Sequence, residues 1–98
     1  MSKVNVYLAD GFEEVEGLTV VDLLRRAGIE TDMVSIMGRK EITGARKIPV
    51  LADKLFEEQD DPDMIVLPGG MPGTMHLLAH EGLADLIRKA DKEGKVLA

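Results

Sequence analysis

Apolar positions along this chain follow two periods, and glycine, proline or clustered acids mark each change between them. Residues Lys3 to Ala9 place Val4, Val6 and Leu8 at alternate positions, which predicts a first strand ended by Asp10-Gly11. From Glu14 to about Ala27 the apolar residues recur at helical spacing, and Gly28 supplies the C-terminal stop. Thr31 to Met37 reads as a second strand, with Met33, Val34 and Ile36 apolar. Gly38 and Gly44 bracket Glu41-Ile42-Thr43, which predicts a small hairpin leading to Ile48-Pro49-Val50, and Pro49 confines that piece to an edge. Asp53 to Gln59 is expected to form a short helix, followed by the polar turn Asp60-Asp61-Pro62-Asp63. Met64 to Leu67 is wholly apolar, the pattern of a strand buried on both faces, and Pro68-Gly69-Gly70 turns the chain at its carboxyl end. Glu81 to Glu93 carries Leu83, Leu86, Ile87 and Ala90 at helical spacing before Gly94, and Val96-Leu97-Ala98 opens another strand.

Strand, helix, strand, excursion, strand, helix, strand is a doubly wound α/β order with a mostly parallel sheet. A parallel strand opening at Val96 needs a helix after it to cover its sheet face, and none follows in these residues. The expectation is therefore one α/β domain over residues 1–98 that is about half of a larger one, its carboxyl-terminal remainder either lost or present as a separate polypeptide. Ninety-eight residues at 45% hydrophobic content hold one core and no more.

Net charge −6 and the absence of any basic stripe argue against a nucleic-acid partner, since a phosphate backbone is repelled. No segment approaches the roughly 20 apolar residues that cross a bilayer, and the first residues lack a signal-peptide pattern. With no cysteine, neither disulfides nor thiolate metal sites arise within the 98 residues. A soluble, cytoplasmic location is expected, without membrane attachment.

Candidate chemistry gathers at two places. On a helical wheel Val20, Leu23, Leu24 and Ala27 form the expected buried stripe of the first helix, and Glu16 falls inside it one turn earlier. A carboxylate among core residues is costly unless protonated or hydrogen-bonded, and a protonated one can donate to a nearby anion. The plain alternative is a first-turn acid favoured by the helix dipole, which also accounts for Glu13 and Glu14. The Pro68-Gly69-Gly70 turn is the second place. Glycines there bring bare N–H groups close to a bound anion, at the strand end where ligands collect in open parallel sheets. Val15 and Leu18 lie opposite the expected stripe, ordinary exposed residues or a homodimer contact. His76 and His80, four apart, have the spacing of two metal ligands, but without a third ligand they read as surface or capping residues. Asp10, Asp53 and the acids from Glu57 to Asp63 read as solvated loop charge rather than a Mg²⁺ pocket, so no metal or cofactor is expected.

Three segments in this order and spacing resemble the ThiJ/PfpI family, the superfamily of the Parkinsonism-associated protein deglycase. They are Leu8-Ala9-Asp10-Gly11-Phe12-Glu13-Glu14-Val15-Glu16, then Asp22-Leu23-Leu24-Arg25-Arg26-Ala27-Gly28, then Val66-Leu67-Pro68-Gly69-Gly70. The resemblance implies a flavodoxin-like, three-layer α/β/α domain, incomplete in this chain. It also implies that the strand at Val96-Leu97-Ala98 leads into an elbow carrying a reactive cysteine, with a histidine after it; both lie outside these residues. Glu16 matches the family's glutamate hydrogen-bonded to that cysteine. Gly70 matches the oxyanion-type backbone donor, and Gly69 shapes the turn. A helix N-terminus at the elbow would favour the thiolate, which suits attack on an aldehyde or acyl carbon and also oxidation.

The implied function is a protein or α-oxoaldehyde deglycase, or a glyoxalase-like hydrolase, linked to oxidative stress, in a family often named for thiazole monophosphate biosynthesis. Where the peptidase-like PfpI branch carries an acid serving a neighbouring subunit, Thr74 stands here, which disfavours that branch. Two rival readings come from other classes. A noncatalytic binding or chaperone module would use exposed apolar sheet surface. A receiver-like signalling domain with Asp10 on Mg²⁺ would need a phosphorylatable acid at the end of the central strand, where Leu67-Pro68 stands.

Overall fold

The computed structural model describes residues 3–94 and the backbone of 96–97. Its elements are β1 (Lys3–Leu8), α1 (Glu14–Arg26), β2 (Glu30–Ser35), β3 (Glu41–Thr43), β4 (Pro49–Leu51), β5 (Lys54–Leu55), a 3₁₀ turn (Phe56–Glu58), β6 (Met64–Val66), α2 (Gly73–Ala79), α3 (Glu81–Lys92) and β7 (Val96–Leu97). Five strands form one sheet in the order β5-β2-β1-β6-β7, every pair parallel. The other two strands form a separate antiparallel hairpin, with Ile42 opposite Val50. Ala98, assigned above to the last strand, lies outside the described residues.

The chain adds strands outward from β1 in one direction as far as β5, then returns to the other side of β1 for β6 and β7. The order therefore reverses between β1 and β6. In such sheets a crevice opens at this switch point, outside the carboxyl ends of the two strands.

Central strand β1 is buried along its whole length, because both faces are covered. Val4, Val6 and Leu8 join Val66, Ile42, Phe12 and Val21 on the α1 side. Tyr7 and Ala9 join Val34, Ile65, Leu77, Leu83 and Ala90 on the side of α2 and α3. Helices on opposite faces make three layers, as the strand and helix order implies.

The structure corrects the expected face of α1. Its buried residues are Glu14, Gly17 and Val21, whereas Leu23 is 59% exposed and Ala27 and Glu16 are also exposed. Val20 and Leu24 are half-buried against the core, and so is Leu18, expected on the far side. The stripe is rotated because Gly17 is its hidden member: a Cβ there would meet the Phe12 ring at 2.9 Å, so the ring packs directly on helix backbone. A further correction concerns Asp53 to Gln59, which is a two-residue strand and a 3₁₀ turn rather than a helix. Pairing of Lys54 and Leu55 with Val34 and Ser35 outweighs local helical preference. Strand β6, read from the sequence as Met64 to Leu67, is shorter than expected, since Leu67 is 36% exposed and outside it.

Candidate active site

The β1–α1 loop and the turn after β6 meet at the switch point. Glu13 precedes α1 in extended conformation, and its N–H donates to the Gly69 carbonyl at 2.8 Å. One helical turn on, Glu16 Oε1 accepts the Gly69 N–H at 2.8 Å. The start of the helix thus holds both polar backbone groups of Gly69. The helix dipole favours an acceptor in a first turn, the role that Oε1 plays here.

Glycine makes this approach possible. Gly70 has φ +100°, and a Cβ on it would lie 2.5 Å from the Glu13 nitrogen and 2.8 Å from the Gly11 carbonyl oxygen. Gly11, at φ +86°, faces the Pro72 ring in the same way, and the Met71-Pro72 peptide is cis. Backbone therefore packs on backbone where the two loops meet. Among the described residues the Gly70 N–H has no acceptor, and Thr74 N–H closes the turn onto the Gly70 carbonyl at 2.8 Å.

Sequence reasoning brought Glu16, Gly69 and Gly70 together, and they adjoin in the structure. The expected burial of Glu16 is overturned. Its side chain is exposed, held by the Gly69 N–H, and Oε2 has no hydrogen-bond partner among the described residues.

The neighbouring acids have separate tasks that the sequence did not disclose. Glu14 is 4% exposed. It accepts the Arg46 N–H on both oxygens, at 3.1 and 2.8 Å, and the Ile48 N–H at 3.3 Å. Burial pushes its carboxyl up, but its own N–H, those of Arg46 and Ile48, and the Arg46 charge outweigh this and hold it below the usual range. Glu13 faces the Arg46 guanidinium at 3.7 Å. Asp10 accepts the Thr43 N–H at 3.0 Å and pairs with Arg39, so its carboxylate is committed to the β3–β4 hairpin. The available signal for Glu14 was Gly44, where any Cβ would run into the Glu14 carboxyl, but only the fold brings the two together.

The remaining candidates separate. His80 caps α3, its Nδ1 accepting the Leu83 N–H at 2.9 Å, and its ring packs tilted against Phe56 with centroids 4.7 Å apart. Asp53 accepts the Met33 N–H at 2.8 Å and pairs with Arg25. Among the described residues no three His, Asp or Glu side chains are placed to hold one metal ion. Val15 is 70% exposed, as expected. No helix among the described residues is long and apolar enough to cross a membrane.

Comparison with known proteins places this geometry in context. The pattern of the DJ-1/PfpI family matches residues 2–98. The chain is 33% identical over 95 residues to the protein dj-1beta of Drosophila melanogaster, covering 95% of this chain and 51% of that protein. It is 33% identical over 98 residues to a deglycase of Thermococcus kodakarensis, covering 98% of this chain and 58% of the deglycase. A crystal structure of a mutant DJ-1 superfamily protein from Salmonella typhimurium superposes with a TM-score of 0.94 at 34% identity, over 99% of this chain and 54% of that one. The chain thus spans about half the length of these relatives, and 22% of the DJ-1 homolog B of Arabidopsis thaliana.

Proposed function

The chain belongs to the DJ-1/PfpI family, and from that premise we propose that it is the amino-terminal portion of a cysteine-dependent enzyme. Its substrates are small α-oxoaldehydes or their adducts with amines, and a carboxyl-terminal remainder supplies the nucleophile and a histidine. Support comes from the deglycase among its relatives and from relatives about twice as long.

One observation carries the reading: Glu16 Oε1 is anchored on the Gly69 N–H beside a Gly70 N–H without an acceptor, at the switch point of the sheet. With Oε1 accepting, a proton on Oε2 is free to be donated to a thiolate placed over the crevice, stabilising its charge. Attack forms a carbon–sulfur bond and moves the carbonyl π pair onto oxygen. That oxyanion is the charge the Gly70 N–H would meet. The covering polypeptide, rather than this chain's core, would exclude water from Glu16.

Intact-mass spectrometry of the native preparation, with glyoxal turnover measured on the same sample, tests this. A cysteine-bearing extension or second polypeptide together with turnover is expected; a native protein with such a segment and no turnover contradicts it. A noncatalytic binding module is the second reading, favoured by Met71 at 65% exposure in the turn before α2 and by Met75 at 60% and Leu78 at 78% along it. A lone chain without turnover would support that module. Homodimerisation through α1 is also proposed, now resting on Val15 alone because Leu18 packs inward.

A further inference from the structure

Glu14 is the most deeply buried acid of the described residues, and the proposed chemistry does not use it. Its carboxylate grips backbone, not a cation: both oxygens face N–H groups of the loop joining β3 and β4. That loop is shaped to receive it. Gly44 leaves the space that the carboxyl fills, and Lys47 takes φ +65°, which turns Ile48 back toward the helix. Three further bonds tie the hairpin to the β1–α1 loop: Ala45 N–H to the Phe12 carbonyl at 2.8 Å, Gly11 N–H to the Thr43 carbonyl at 2.8 Å, and Thr43 N–H to Asp10.

The segment so tied is the one that grips the Pro-Gly-Gly turn. Glu13, between Phe12 and Glu14, holds the Gly69 carbonyl and lies against Gly70. The first turn of α1 is therefore a double clamp, with Glu14 on the hairpin and Glu16 on the turn. We propose that Glu14 is a positioning residue: its ionised carboxylate locks the β3–β4 hairpin onto the β1–α1 loop and thereby fixes where the Gly69–Gly70 turn stands. The role rests on the reading of that turn as an active-site element, but the lock itself does not need the nucleophile.

The lock depends on ionisation. Protonation of Glu14 turns one oxygen into an O–H donor and removes the charge that strengthens its bonds to the Arg46 and Ile48 N–H groups, so acid should weaken the lock. The charged groups around it are the Arg46 guanidinium on the hairpin and Glu13 and Glu16 on its own helix turn, with Asp10 and Arg39 paired on the hairpin's other side.

The test is amide NMR of the native protein as pH is lowered, then of Glu14→Gln and Gly44→Ala variants. The Arg46 and Ile48 amide protons are expected to move together upfield with the Glu14 carboxyl, before global unfolding. In each variant the Gly69 and Gly70 amide signals are expected to shift although neither residue is altered. Arg46 and Ile48 signals indifferent to Glu14 titration would overturn the lock. Unmoved Gly69 and Gly70 signals in folded variants would overturn the coupling. If neither variant folds, the wild-type titration still decides in a Glu16→Gln background, where the Gly69 amide no longer reports Glu16 and Gly69 and Gly70 must follow the same transition as Arg46. Failure of the proposed function shows instead as absent glyoxal turnover with this titration intact.

Discussion

The two edges of the parallel sheet use acidic residues differently. At the carboxyl edge, Glu14, Glu16 and Asp10 each accept a backbone N–H from another segment. At the amino edge, Asp63 also accepts a backbone N–H, that of Lys3 at 2.8 Å, but Glu30, Asp32 and Asp60 face side-chain cations. Lys3 Nζ lies 2.6 Å from Asp32, 3.0 Å from Glu30 and 3.6 Å from Asp60, while Lys54 Nζ lies 3.2 Å from Asp32 and 2.7 Å from Asp60. A carboxylate on an N–H fixes a loop to within a bond length. A carboxylate on a lysine tolerates many geometries and is shared among partners. The edge that needs placed backbone thus has backbone grips, and the edge that closes the fold has an adaptable charge network.

That contrast predicts a ranking of substitutions. Gly70→Ala should be the most damaging, because the side chain meets the Glu13 nitrogen and the backbone is left-handed. We expect a loss of at least about 3 kcal/mol in denaturant unfolding; a loss below about 1 kcal/mol would mean the two loops are not fixed against each other. Lys3→Met comes next, at about 2 kcal/mol, since it leaves Asp32 with one cation in a largely buried site. Burial pushes the Lys3 ammonium down, but Asp32 and Glu30 outweigh this and raise it. For Asp32, burial raises the carboxyl while Lys3 and Lys54 more than offset it, holding it below its usual range. Its stabilisation is present above the ordinary carboxylate range and is lost as pH falls through the lowered value. Lys3→Met should accordingly flatten the acid limb of the stability curve.

Tyr7→Phe should cost about 1 kcal/mol near neutrality, the worth of the hydrogen bond to Gln59. Burial pushes the Tyr7 phenol up from 10.0 to about 12, against the Asn5 hydrogen bond that lowers it. The folded state keeps this proton longer than the unfolded chain. Its contribution is therefore complete below pH 10 and is lost as pH rises through about 12. Tyr7 is the sole tyrosine of these 98 residues, so ultraviolet absorbance of this chain reads its titration directly, and an ordinary midpoint would refute the burial argument. Smallest of all, Glu30→Gln should change stability by under about 0.5 kcal/mol, because that acid is half exposed and shares Lys3.

How far the sequence disclosed this molecule depends on which interactions are local. The strand and helix order and the hairpin between Gly38 and the Pro49 piece were legible, because turn residues and periodicity mark them, whereas the pairing of Glu16 with Gly69-Gly70 was implied only by the family resemblance. The buried face of α1 was not. Its stripe runs through Glu14, Gly17 and Val21, and a wheel weighted by large apolar side chains turns instead toward Leu23 and Ala27. Nor was β5 legible, since two residues become a strand only by pairing with Val34 and Ser35. Helix α2 escaped for a similar reason: Leu77 is its one large buried side chain, and a helix of seven residues opening on Gly73 carries little periodicity. Glu14 was hidden most completely, as its partners lie 32 and 34 positions away in a polar loop.

The central claim is that Glu16, anchored on Gly69, donates through its other oxygen to a thiolate supplied by the rest of the protein. Thiol titration of the native protein before and after Glu16→Leu tests it most directly. Losing that donor should raise the thiol pKa by about one unit or more. An unchanged or lowered value would contradict the account, since a lowered one means Glu16 faces the sulfur as an ionised, repelling acid.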